Sequence, residues 1–346
     1  MSLIREFHLA TLTLPLKQDF ATSKDAAPRT HTRICRLTLY ADTGHCGVGE
    51  CVAVPYVTGE THEETVEHLG AVGRRLIGQP AMRRHSILAA LAPHLTERPA
   101  VRAAVEMGLW DLWAQATGQS WWHLFGGNVA EVETDITLPM VDDVAGRARA
   151  YAAAGFRIFK VKVGRADLDA DLALLQAVKD TVPSAVFRLD ANQAYTPRQA
   201  LTLLKEATSA GVHVELMEQP VDRQDLEGLD KVARESPVPV LADEAVLTPA
   251  EALKVVSETA VHGINVKLMK SGISGALDII GIVRAAGRRL MMGCMLETPR
   301  GIGFALSLAA GTGAFQYYDL DGHMLTGMEP EPCFYQDGMR LRINQR

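Results

Sequence analysis

Six charged side chains recur at nearly constant intervals through the middle of the sequence: Lys160, Lys162, Asp190, Glu218, Asp243 and Lys267. They come at the ends of apolar runs, which read FRIFKVK, VFRLDAN, VELMEQP, VPVLADE and INVKLMK. From Lys162 onward the intervals are 28, 28, 25 and 24 residues. This spacing is typical of successive strand–helix units, so we expect the six side chains to meet where parallel strands end.

The three carboxylates, Asp190, Glu218 and Asp243, are predicted to hold one divalent cation. Oxygen donors without His or Cys favour Mg²⁺, with Mn²⁺ as a second suitable ion, over zinc. Three protein ligands leave coordination positions for water and for a substrate carboxylate. The alternative is that each carboxylate is a helix N-cap or a surface residue at a strand end. Three carboxylates in register between lysines favour the metal site.

Lys160 and Lys162 share one face of a strand, because side chains alternate with a period of two. Two ammonium groups in a strand interior are costly to bury, which indicates a function. A neighbouring cation lowers the pKa of a lysine from about 10.4 toward the ~7–8 suited to a general base. We expect Lys162 and Lys267 to remove and return a proton α to a carboxylate on opposite faces, through a metal-stabilised enediolate.

Two lysines compete for the role in the run INVKLMK, namely Lys267 and Lys270. Lys267 is part of the apolar strand candidate, and Lys270 is expected to be its more exposed neighbour. The alternative for Lys267 is a surface lysine in a loop, which the apolar run disfavours. The chemistry is therefore assigned to Lys267.

The strands that position these residues alternate with helices between residues 132 and 322. The eight strand candidates are VETDITLPM, FRIFKVKV, AVFRLDA, VELMEQP, VPVLADE, GINVKLM, RLMMGCMLE and FQYYDLD. Helical segments such as TPRQALTLLKEATSAG and TPAEALKVVSETA lie between them, with Thr-Pro starts and Gly ends. This order predicts an α/β fold of the (β/α)7β type, a TIM-like barrel with its chemistry at the C-terminal strand ends.

The preceding residues follow a different pattern. Residues 3–14 and 32–40 alternate apolar and polar positions, as half-buried strands do, and helical periodicity begins at Thr61. The polar segment 19–30 between the two strands is expected to be an exposed loop. We therefore predict an N-terminal α+β capping domain over residues 1–130 and the barrel over 131–325. Residues 326–346 are predicted to return and pair with the N-terminal sheet.

Composition restricts the class of protein. The chain has 346 residues, 47% of them hydrophobic, and a net charge of −6, which argues against a nucleic-acid or membrane partner. Five cysteines without a CxxC pair indicate neither a disulfide framework nor a zinc ribbon. The N-terminus does not have the pattern of a signal peptide, and no stretch approaches the ~18 apolar residues of a membrane span. The expectation is a cytoplasmic enzyme.

Five ordered motifs, KVKVG, RLDANQAY, ELMEQP, LADEA and NVKLMKSG, resemble the barrel-strand signatures of the enolase superfamily, muconate lactonizing enzyme subgroup. The resemblance implies Mg²⁺ on Asp190, Glu218 and Asp243, and acid/base roles for Lys162 and Lys267. It also implies that Lys160 tunes the site and that the protein forms a homo-oligomer. One departure is the single glycine in KSGIS, where the family usually has two, which leaves the shape of the loop after strand six open.

The last strand candidate suggests the substrate. FQYYDLDGHML places Asp319 and Asp321 on one strand face, similar to the DxD signature of dipeptide epimerases. Two anions beside a site for a carboxylate favour a zwitterion, whose α-ammonium they would receive. The resemblance implies epimerisation of a dipeptide at the Cα of its C-terminal residue, commonly L-Ala-D/L-Glu in murein peptide recycling in the cell wall. The alternative is that both are solvent-facing acids at a strand end.

Further substrate-binding residues are expected around this pocket. Glu297, in CMLET at the end of strand seven, is expected to line it, and Thr137 of the first strand candidate is placed in the same set. Ser23, Lys24 and Arg29 lie in the loop predicted to close over the barrel mouth. Lys24 and Arg29 suggest pairing with an acidic substrate side chain, although all three are equally compatible with a solvated loop.

Other functions compete with this interpretation. An N-succinylamino acid racemase or an o-succinylbenzoate synthase would use the same lysines and metal. A mandelate-type dehydratase is disfavoured, because the sixth strand offers Lys267 rather than a His–Asp dyad and CMLET contains no His. A non-catalytic barrel that serves as a binding module is disfavoured by the complete set of carboxylates and lysines.

Overall fold

The computed structural model describes residues 2–165, 167–329 and 331–344. In this part of the chain the strands form three sheets, one antiparallel near the N-terminus, one of eight parallel strands, and one of three strands that includes the C-terminal segment. Residues 330, 345 and 346 of the predicted C-terminal segment lie outside the described residues. Within the described ranges, no helix combines the length and apolar character that a membrane crossing requires.

The N-terminal region is a meander of three strands covered by helices. Its elements are β1 (Ile4–Phe20), β2 (Arg29–Ala41), β3 (Cys46–Cys51), α1 (Pro55–Thr58), α2 (His62–Leu76), α3 (Arg84–Leu95), α4 (Pro99–Thr117) and α5 (Trp121–Leu124). A capping box starts α2, because Thr61 and Glu64 exchange side-chain and backbone hydrogen bonds there. Helix α4 is almost wholly buried because it lies between this sheet and the barrel.

The loop between β1 and β2 is shorter and less exposed than predicted. Strand β1 continues to Phe20, and Phe20, Ala21 and Thr22 are buried. The carbonyl of Ala21 accepts a hydrogen bond from Met140 N at 2.9 Å. The Ser23 hydroxyl donates to the carbonyl of Ala191 at 3.0 Å. The sequence shows only polar turn formers here, and it is these contacts with the barrel that bury the start of the segment.

The predicted barrel is confirmed. After β4 (Glu131–Glu133), its elements are β5 (Ile136–Leu138), α6 (Val144–Ala153), β6 (Ile158–Lys162), α7 (Leu168–Thr181), β7 (Val186–Asp190), α8 (Pro197–Ser209), β8 (Val214–Glu218), α9 (Leu226–Glu235), β9 (Val240–Ala242), α10 (Pro249–Glu258), β10 (Gly263–Val266), α11 (Leu268–Ala285), β11 (Arg289–Met292), α12 (Pro299–Thr312) and β12 (Tyr317–Tyr318). The eight strands β5 to β12 are parallel and neighbours in chain order. Asp135 N donates to the carbonyl of Tyr318 at 3.2 Å, which joins the first strand to the last.

Local sequence explains the outer helices and the barrel interior. Thr196 and Thr248 each precede a proline, and their hydroxyls accept backbone hydrogen bonds in capping boxes that start α8 and α10. Inside the barrel, strands β8, β9, β11 and β12 contribute one side chain each to an apolar layer, which is formed by Leu216, Leu241, Met291 and Tyr317. Each such burial contributes about 1.5–3 kcal/mol. This apolar layer packs the barrel interior beneath the polar residues at the strand ends.

The C-terminal segment pairs with a different strand from the one predicted. It comprises α13 (Gly322–Leu325), β13 (Phe334–Asp337) and β14 (Arg340–Ile343). Strand β14 pairs with β13 and β4, with Leu341 opposite Val132, rather than with the N-terminal sheet. The first strand candidate therefore divides, because β4 joins this outer sheet while β5 enters the barrel. Both Leu341 and Val132 are buried, which gives the pairing an apolar face.

Candidate active site

The charged residues singled out in the sequence lie together at the C-terminal ends of the barrel strands. In the parallel register Lys162 is opposite Asp190, and Asp190 is opposite Glu218. Asp243 follows the last residue of β9, and Lys267 precedes the first residue of α11. We refer to Lys160, Lys162, Asp190, Glu218, Asp243 and Lys267 as the lysine–carboxylate cluster. Every member of this cluster is buried.

The three carboxylates are arranged to hold a divalent metal. Asp190, Glu218 and Asp243 each offer an oxygen, and these oxygens all lie within 4.8 Å of one another. Oxygens bound to one Mg²⁺ at about 2.1 Å lie roughly 3–4 Å apart, so small adjustments bring the three onto a single ion. All three carboxylates are at most 1% exposed, and no soft donor lies among them. The donor set therefore fits a hard cation.

Lys160 lies at the centre of the cluster. Its Nζ is 2.6 Å from Asp319 Oδ2, 2.9 Å from Glu218 Oε2 and 3.2 Å from Asp190 Oδ2. Burial alone would lower the pKa of Lys160, but the three carboxylates raise it well above its usual value. Lys160 is thus held as a fixed positive charge, which agrees with a tuning role rather than a proton-transfer role.

Lys162 and Lys267 flank the carboxylates from opposite ends of the strand order. Lys162 Nζ is 2.6 Å from Asp190 Oδ2, and Lys267 Nζ is 2.6 Å from Asp243 Oδ2. Burial would lower the pKa of Lys267, but Asp243 and Glu218 raise it above its usual value. A general base was predicted to have a pKa lowered toward ~7–8. Lys267 can reach such a pKa only if a cation neutralises these carboxylates.

The carboxylates differ in their preference for the charged form. Burial opposes ionisation of Asp190, but Lys162 and Lys160 outweigh it and lower the pKa of Asp190 to about 2. Burial, together with the charge of Asp190, raises the pKa of Glu218 to about 8. The pKa of Asp243 lies well below its usual value, because Lys267 and Lys270 outweigh its burial. Of the three carboxylates, Glu218 is therefore the one whose negative charge is least compensated by the lysines. A metal ion bound there would supply the missing positive charge.

Lys270 was expected to be the exposed neighbour of Lys267, and this expectation is wrong. Lys270 is 2% exposed. Its Nζ donates to Asp243 Oδ1 at 2.5 Å, to the carbonyl of Asp243 at 2.7 Å and to the carbonyl of Asn265 at 2.8 Å. The side chain turns inward because α11 begins immediately after Lys267, so Lys270 lies one helical turn along and faces the barrel.

The single glycine in the loop after strand six, which left the shape of that loop open, interrupts α11. Gly272 has φ 66°, in the left-handed region, within the residues assigned to this helix. A Cβ at this position would lie 2.9 Å from Glu106 Oε2, which accepts a hydrogen bond from Ser274 N at 2.6 Å. One glycine therefore suffices to turn the loop onto α4.

A cavity above the cluster contains about 560 Å³ of empty space, counted with its open mouth. The barrel contributes lining residues from both sides of the cluster, namely Thr137, Lys160, Lys162, Asn192, Glu244, Lys267, Cys294, Met295, Leu296, Asp319, Asp321, Gly322 and Leu325. The N-terminal region contributes the capping rim, which we define as Phe20, Thr22, Arg29, Val54, Tyr56 and Val57. The cavity thus has a charged floor and a mainly apolar rim.

Asp319 and Asp321 line one wall of this cavity and are buried. Asp319 accepts from Lys160, whereas Asp321 Oδ2 accepts from the backbone N–H of Thr137 at 2.6 Å. Burial and the neighbouring charge of Asp319 raise the pKa of Asp321 to about 6. Cys294 lies beside them, with Sγ 3.9 Å from Asp321 Oδ1. Asp321 therefore carries negative charge at neutral pH that no side-chain cation within the described residues pairs with directly.

Two residues proposed for substrate binding lie elsewhere. Glu297 is buried outside the cavity lining, with Oε1 accepting from Met295 N at 2.9 Å and Oε2 against Gly301. Its burial raises its pKa to about 7. Lys24 is exposed and does not line the cavity, whereas Arg29 does. The sequence placed both cations in one loop and could not show which of them faces inward.

Sequence reasoning missed several cavity residues. Asn192 and Glu244 line the cavity and are joined by a hydrogen bond of 3.0 Å from Nδ2 to Oε1. Each follows a predicted ligand within two residues, in DAN and ADE, so the signal was present in the motifs. Cys294 carried no comparable signal, because an isolated cysteine in an apolar run resembles a core residue.

Comparison with known proteins identifies the family. Residues 11–126 match the mandelate racemase/muconate lactonizing enzyme N-terminal domain, and residues 143–344 match the enolase C-terminal domain-like family. L-Ala-D/L-Glu epimerase of Bacillus subtilis is 35% identical over 94% of this chain and 89% of its own length. L-Ala-D/L-Glu epimerase of Thermotoga maritima is 35% identical over 91% of this chain and 92% of its own length.

A solved structure gives the same result at the level of the fold. The dipeptide epimerase of Enterococcus faecalis V583, in complex with Mg and the dipeptide L-Leu-L-Tyr, superposes with a TM-score of 0.93. It is 31% identical, and the match covers 99% of this chain and 98% of that one. The chain therefore belongs to the mandelate racemase/muconate lactonizing enzyme family of the enolase superfamily, within which it resembles the dipeptide epimerases.

Proposed function

We propose that the protein is an isomerase that epimerises dipeptides at the Cα of the C-terminal residue, with L-Ala-L-Glu and related acidic dipeptides as substrates. The observation that carries the proposal is a single cavity lined by the two flanking lysines and the Asp319–Asp321 wall, with the carboxylate triad held against these lysines. Relatives similar over most of the chain are L-Ala-D/L-Glu epimerases, and a structural neighbour is in complex with Mg and a dipeptide.

The cavity wall is suited to a zwitterionic dipeptide. The α-ammonium would be received by Asp321, whose charge no side-chain cation of the described residues pairs with directly, and by Asp319, which shares its charge with Lys160. The C-terminal carboxylate would then lie over the carboxylate triad. A Mg²⁺ ion held there would supply positive charge beside that carboxylate and stabilise the negative charge that develops when the Cα proton leaves.

The flanking lysines move the proton. Lys162 and Lys267 approach the space above the triad from β6 and from the end of β10, on opposite sides. One lysine, in its neutral form, removes the proton from one face of Cα, and the other, as the ammonium, delivers a proton to the opposite face. In each turnover one lysine gains the proton that leaves Cα and the other loses the proton that Cα receives, so Cα is inverted without net consumption of a proton. The two lysines exchange roles when the other epimer binds. Lys160 remains charged throughout and stabilises the anionic species.

The capping rim bears on the side chain of the C-terminal residue. Arg29 lies over the ring of Phe20, with Cζ 5.0 Å from the ring centroid, and its Nη2 is 3.2 Å from Asp25 Oδ2. Its Nε is buried and has no hydrogen-bond partner among the residues that the structure describes. A guanidinium with a donor to spare at the cavity rim favours a substrate carboxylate, such as that of Glu or Asp.

A library of L,L-dipeptides incubated in D₂O with Mg²⁺ tests the proposal. Mass spectrometry should detect one deuteron at Cα of the C-terminal residue, with the fastest uptake for dipeptides that end in Glu or Asp. N-succinylamino acids serve as the competing substrate class, and treatment with EDTA followed by addition of Mg²⁺ or Mn²⁺ tests the metal.

Two outcomes would contradict the proposal. Uptake by N-succinylamino acids but by no dipeptide would indicate an N-acylamino acid racemase. Uptake by neither class, in enzyme shown to bind a divalent metal, would indicate a binding module in place of an enzyme.

A further inference from the structure

Gln219 follows the carboxylate Glu218 and connects the ends of three barrel strands. Its side-chain Oε1 accepts from Asp243 N at 2.8 Å and from Ala245 N at 3.1 Å. Its backbone N–H donates to the carbonyl of Leu241, and its carbonyl accepts from Gln193 N, both at 2.9 Å. The residue is fully buried. Strands β7, β8 and β9, which carry all three carboxylates of the triad, are thus joined through one residue.

The backbone of Gln219 supports the same interpretation. Its φ is 33°, on the left-handed side where residues other than glycine are uncommon. A residue held in such a conformation costs of the order of 1–3 kcal/mol and persists only where surrounding contacts fix it. Here the amide side chain provides those contacts, since Nε2 also donates to the carbonyl of Val221 at 3.0 Å. A glycine would relieve the strain but remove all three side-chain hydrogen bonds.

Gln219 and Lys270 hold the predicted metal ligand Asp243 at different atoms. Lys270 contacts Asp243 at its carboxylate and its carbonyl, whereas Gln219 holds its amide. Because Gln219 is covalently joined to Glu218, its side chain fixes the position of one ligand backbone relative to another. A shift of Asp243 along the strand direction would break this hydrogen bond.

We propose that Gln219 is a positioning residue that sets the distance between Glu218 and Asp243 and thereby determines the affinity of the carboxylate triad for a divalent cation. This inference rests on the metal site of the proposed function. Removal of a polar group that orients a metal ligand typically weakens metal binding by about 10–100-fold. The same loss is expected for Gln219, although this residue is not among those that line the substrate cavity.

Mn²⁺ titrations of the full-length protein, followed by the electron paramagnetic resonance signal of free Mn²⁺, test this proposal. Gln219→Leu, which keeps the side-chain volume, should bind Mn²⁺ about 10–100-fold more weakly than the wild type. Gln219→Gly should show a similar loss despite its relaxed backbone. Titrations are made well below the metal-free melting temperature of each variant, so that a difference in global stability does not enter the dissociation constant.

Gln193→Leu is the matched control. Gln193 also has a positive φ, of 69°, at the same end of the barrel, but its side-chain Oε1 accepts from Arg223 N at 3.1 Å instead of from a residue of the triad. Its backbone hydrogen bond to Gln219 is kept in this variant. Its Mn²⁺ affinity should stay within about twofold of the wild type.

The outcomes separate this inference from the proposed function. Unchanged affinity in either Gln219 variant, or an equal loss in Gln193→Leu, would overturn the positioning role while leaving the metal site intact. A wild-type protein that binds no Mn²⁺ would overturn both. If Gln219→Leu does not fold, the comparison of Gln219→Gly with Gln193→Leu decides the question alone.

Discussion

The floor and the rim of the cavity are constructed in opposite ways. In the lysine–carboxylate cluster every side chain is buried and each lysine has a carboxylate partner at 2.6 Å. In the capping rim Arg29 keeps 30% of its side chain exposed and forms an ion pair with Asp25 at 3.2 Å. The floor comes from short strands joined by regular pairing, whereas the rim comes from the facing ends of β1 and β2, the loop between them, and the region of the four-residue helix α1. In the proposed function the floor carries out the reaction and the rim selects among substrates.

The largest effect is expected from the flanking lysines. Lys162→Met and Lys267→Met should each reduce epimerisation by about 10²–10⁴-fold, because inversion requires a proton donor and an acceptor on opposite faces. Each variant should retain Cα–deuterium exchange for one epimer only, since the remaining lysine serves one face. Chiral chromatography and mass spectrometry measure the two quantities. Normal epimerisation by both single variants would contradict the two-base mechanism.

A smaller effect is expected at the wall of the cavity. Asp321→Asn should lower kcat/KM for dipeptides by about 30-fold or more, because the loss of one partner of a buried charge pair costs about 2 kcal/mol or more. The loss should appear mainly in KM. The same variant should not lose exchange activity toward an N-acetylamino acid, which has no ammonium. An equal loss for both compounds would show that Asp321 does not bind the ammonium.

The pH dependence of KM follows from the same residue. Burial and Asp319 raise the pKa of Asp321 to about 6, so this carboxyl becomes neutral as the pH falls through that value. KM for a dipeptide should then rise roughly tenfold per unit below pH 6, while Asp321→Asn shows no such rise. Initial rates between pH 5 and pH 8 give the comparison. A flat KM in the wild type would contradict the assignment.

At the rim the effect should depend on the substrate. Arg29→Gln should raise KM for L-Ala-L-Glu by about tenfold and leave KM for L-Ala-L-Ala unchanged, because only the first substrate presents a second carboxylate. Lys24→Gln is the matched control, since Lys24 is exposed and outside the cavity. A larger effect of Lys24→Gln on L-Ala-L-Glu would reverse the assignment of the two loop cations.

The smallest effect concerns stability. Glu297 has a pKa raised by burial to about 7, so its contribution to stability is present below the unfolded pKa of about 4.3 and is lost as the pH rises through 7. Glu297→Gln should therefore melt about 2–4 °C above the wild type at pH 8 and match it near pH 5. Its kcat/KM should stay within about twofold, because Glu297 lies outside the cavity. Thermal melts at several pH values provide the measurement.

The floor could be predicted from the sequence because its signals are local and repeated. Each carboxylate or lysine follows an apolar run, and parallel strands bring such ends together whatever the details of packing. Lys270 shows the limit of this reasoning. Its burial depends on where α11 begins, and helix boundaries are the least certain part of a pattern.

The rim and the C-terminal segment could not be derived in the same way. Whether Lys24 or Arg29 faces the cavity depends on contacts between the β1–β2 loop and the barrel, such as that of Ser23 with Ala191. Strand β14 has an alternating pattern that suits any antiparallel edge. Its pairing with β4 depends on which strand edge lies close to it in the folded protein, and this is a property of the whole fold.

The hydrogen bond between Thr137 N and Asp321 has a consequence for synthesis of the protein. It joins residues 184 positions apart, at the first and last strands of the barrel. A ribosome must therefore add nearly the whole chain before the substrate wall exists, whereas β6 to β10 can associate earlier as consecutive units. An incomplete chain would hold the charged floor without a closed wall, so a protein truncated before Asp321 is expected to bind metal but not substrate.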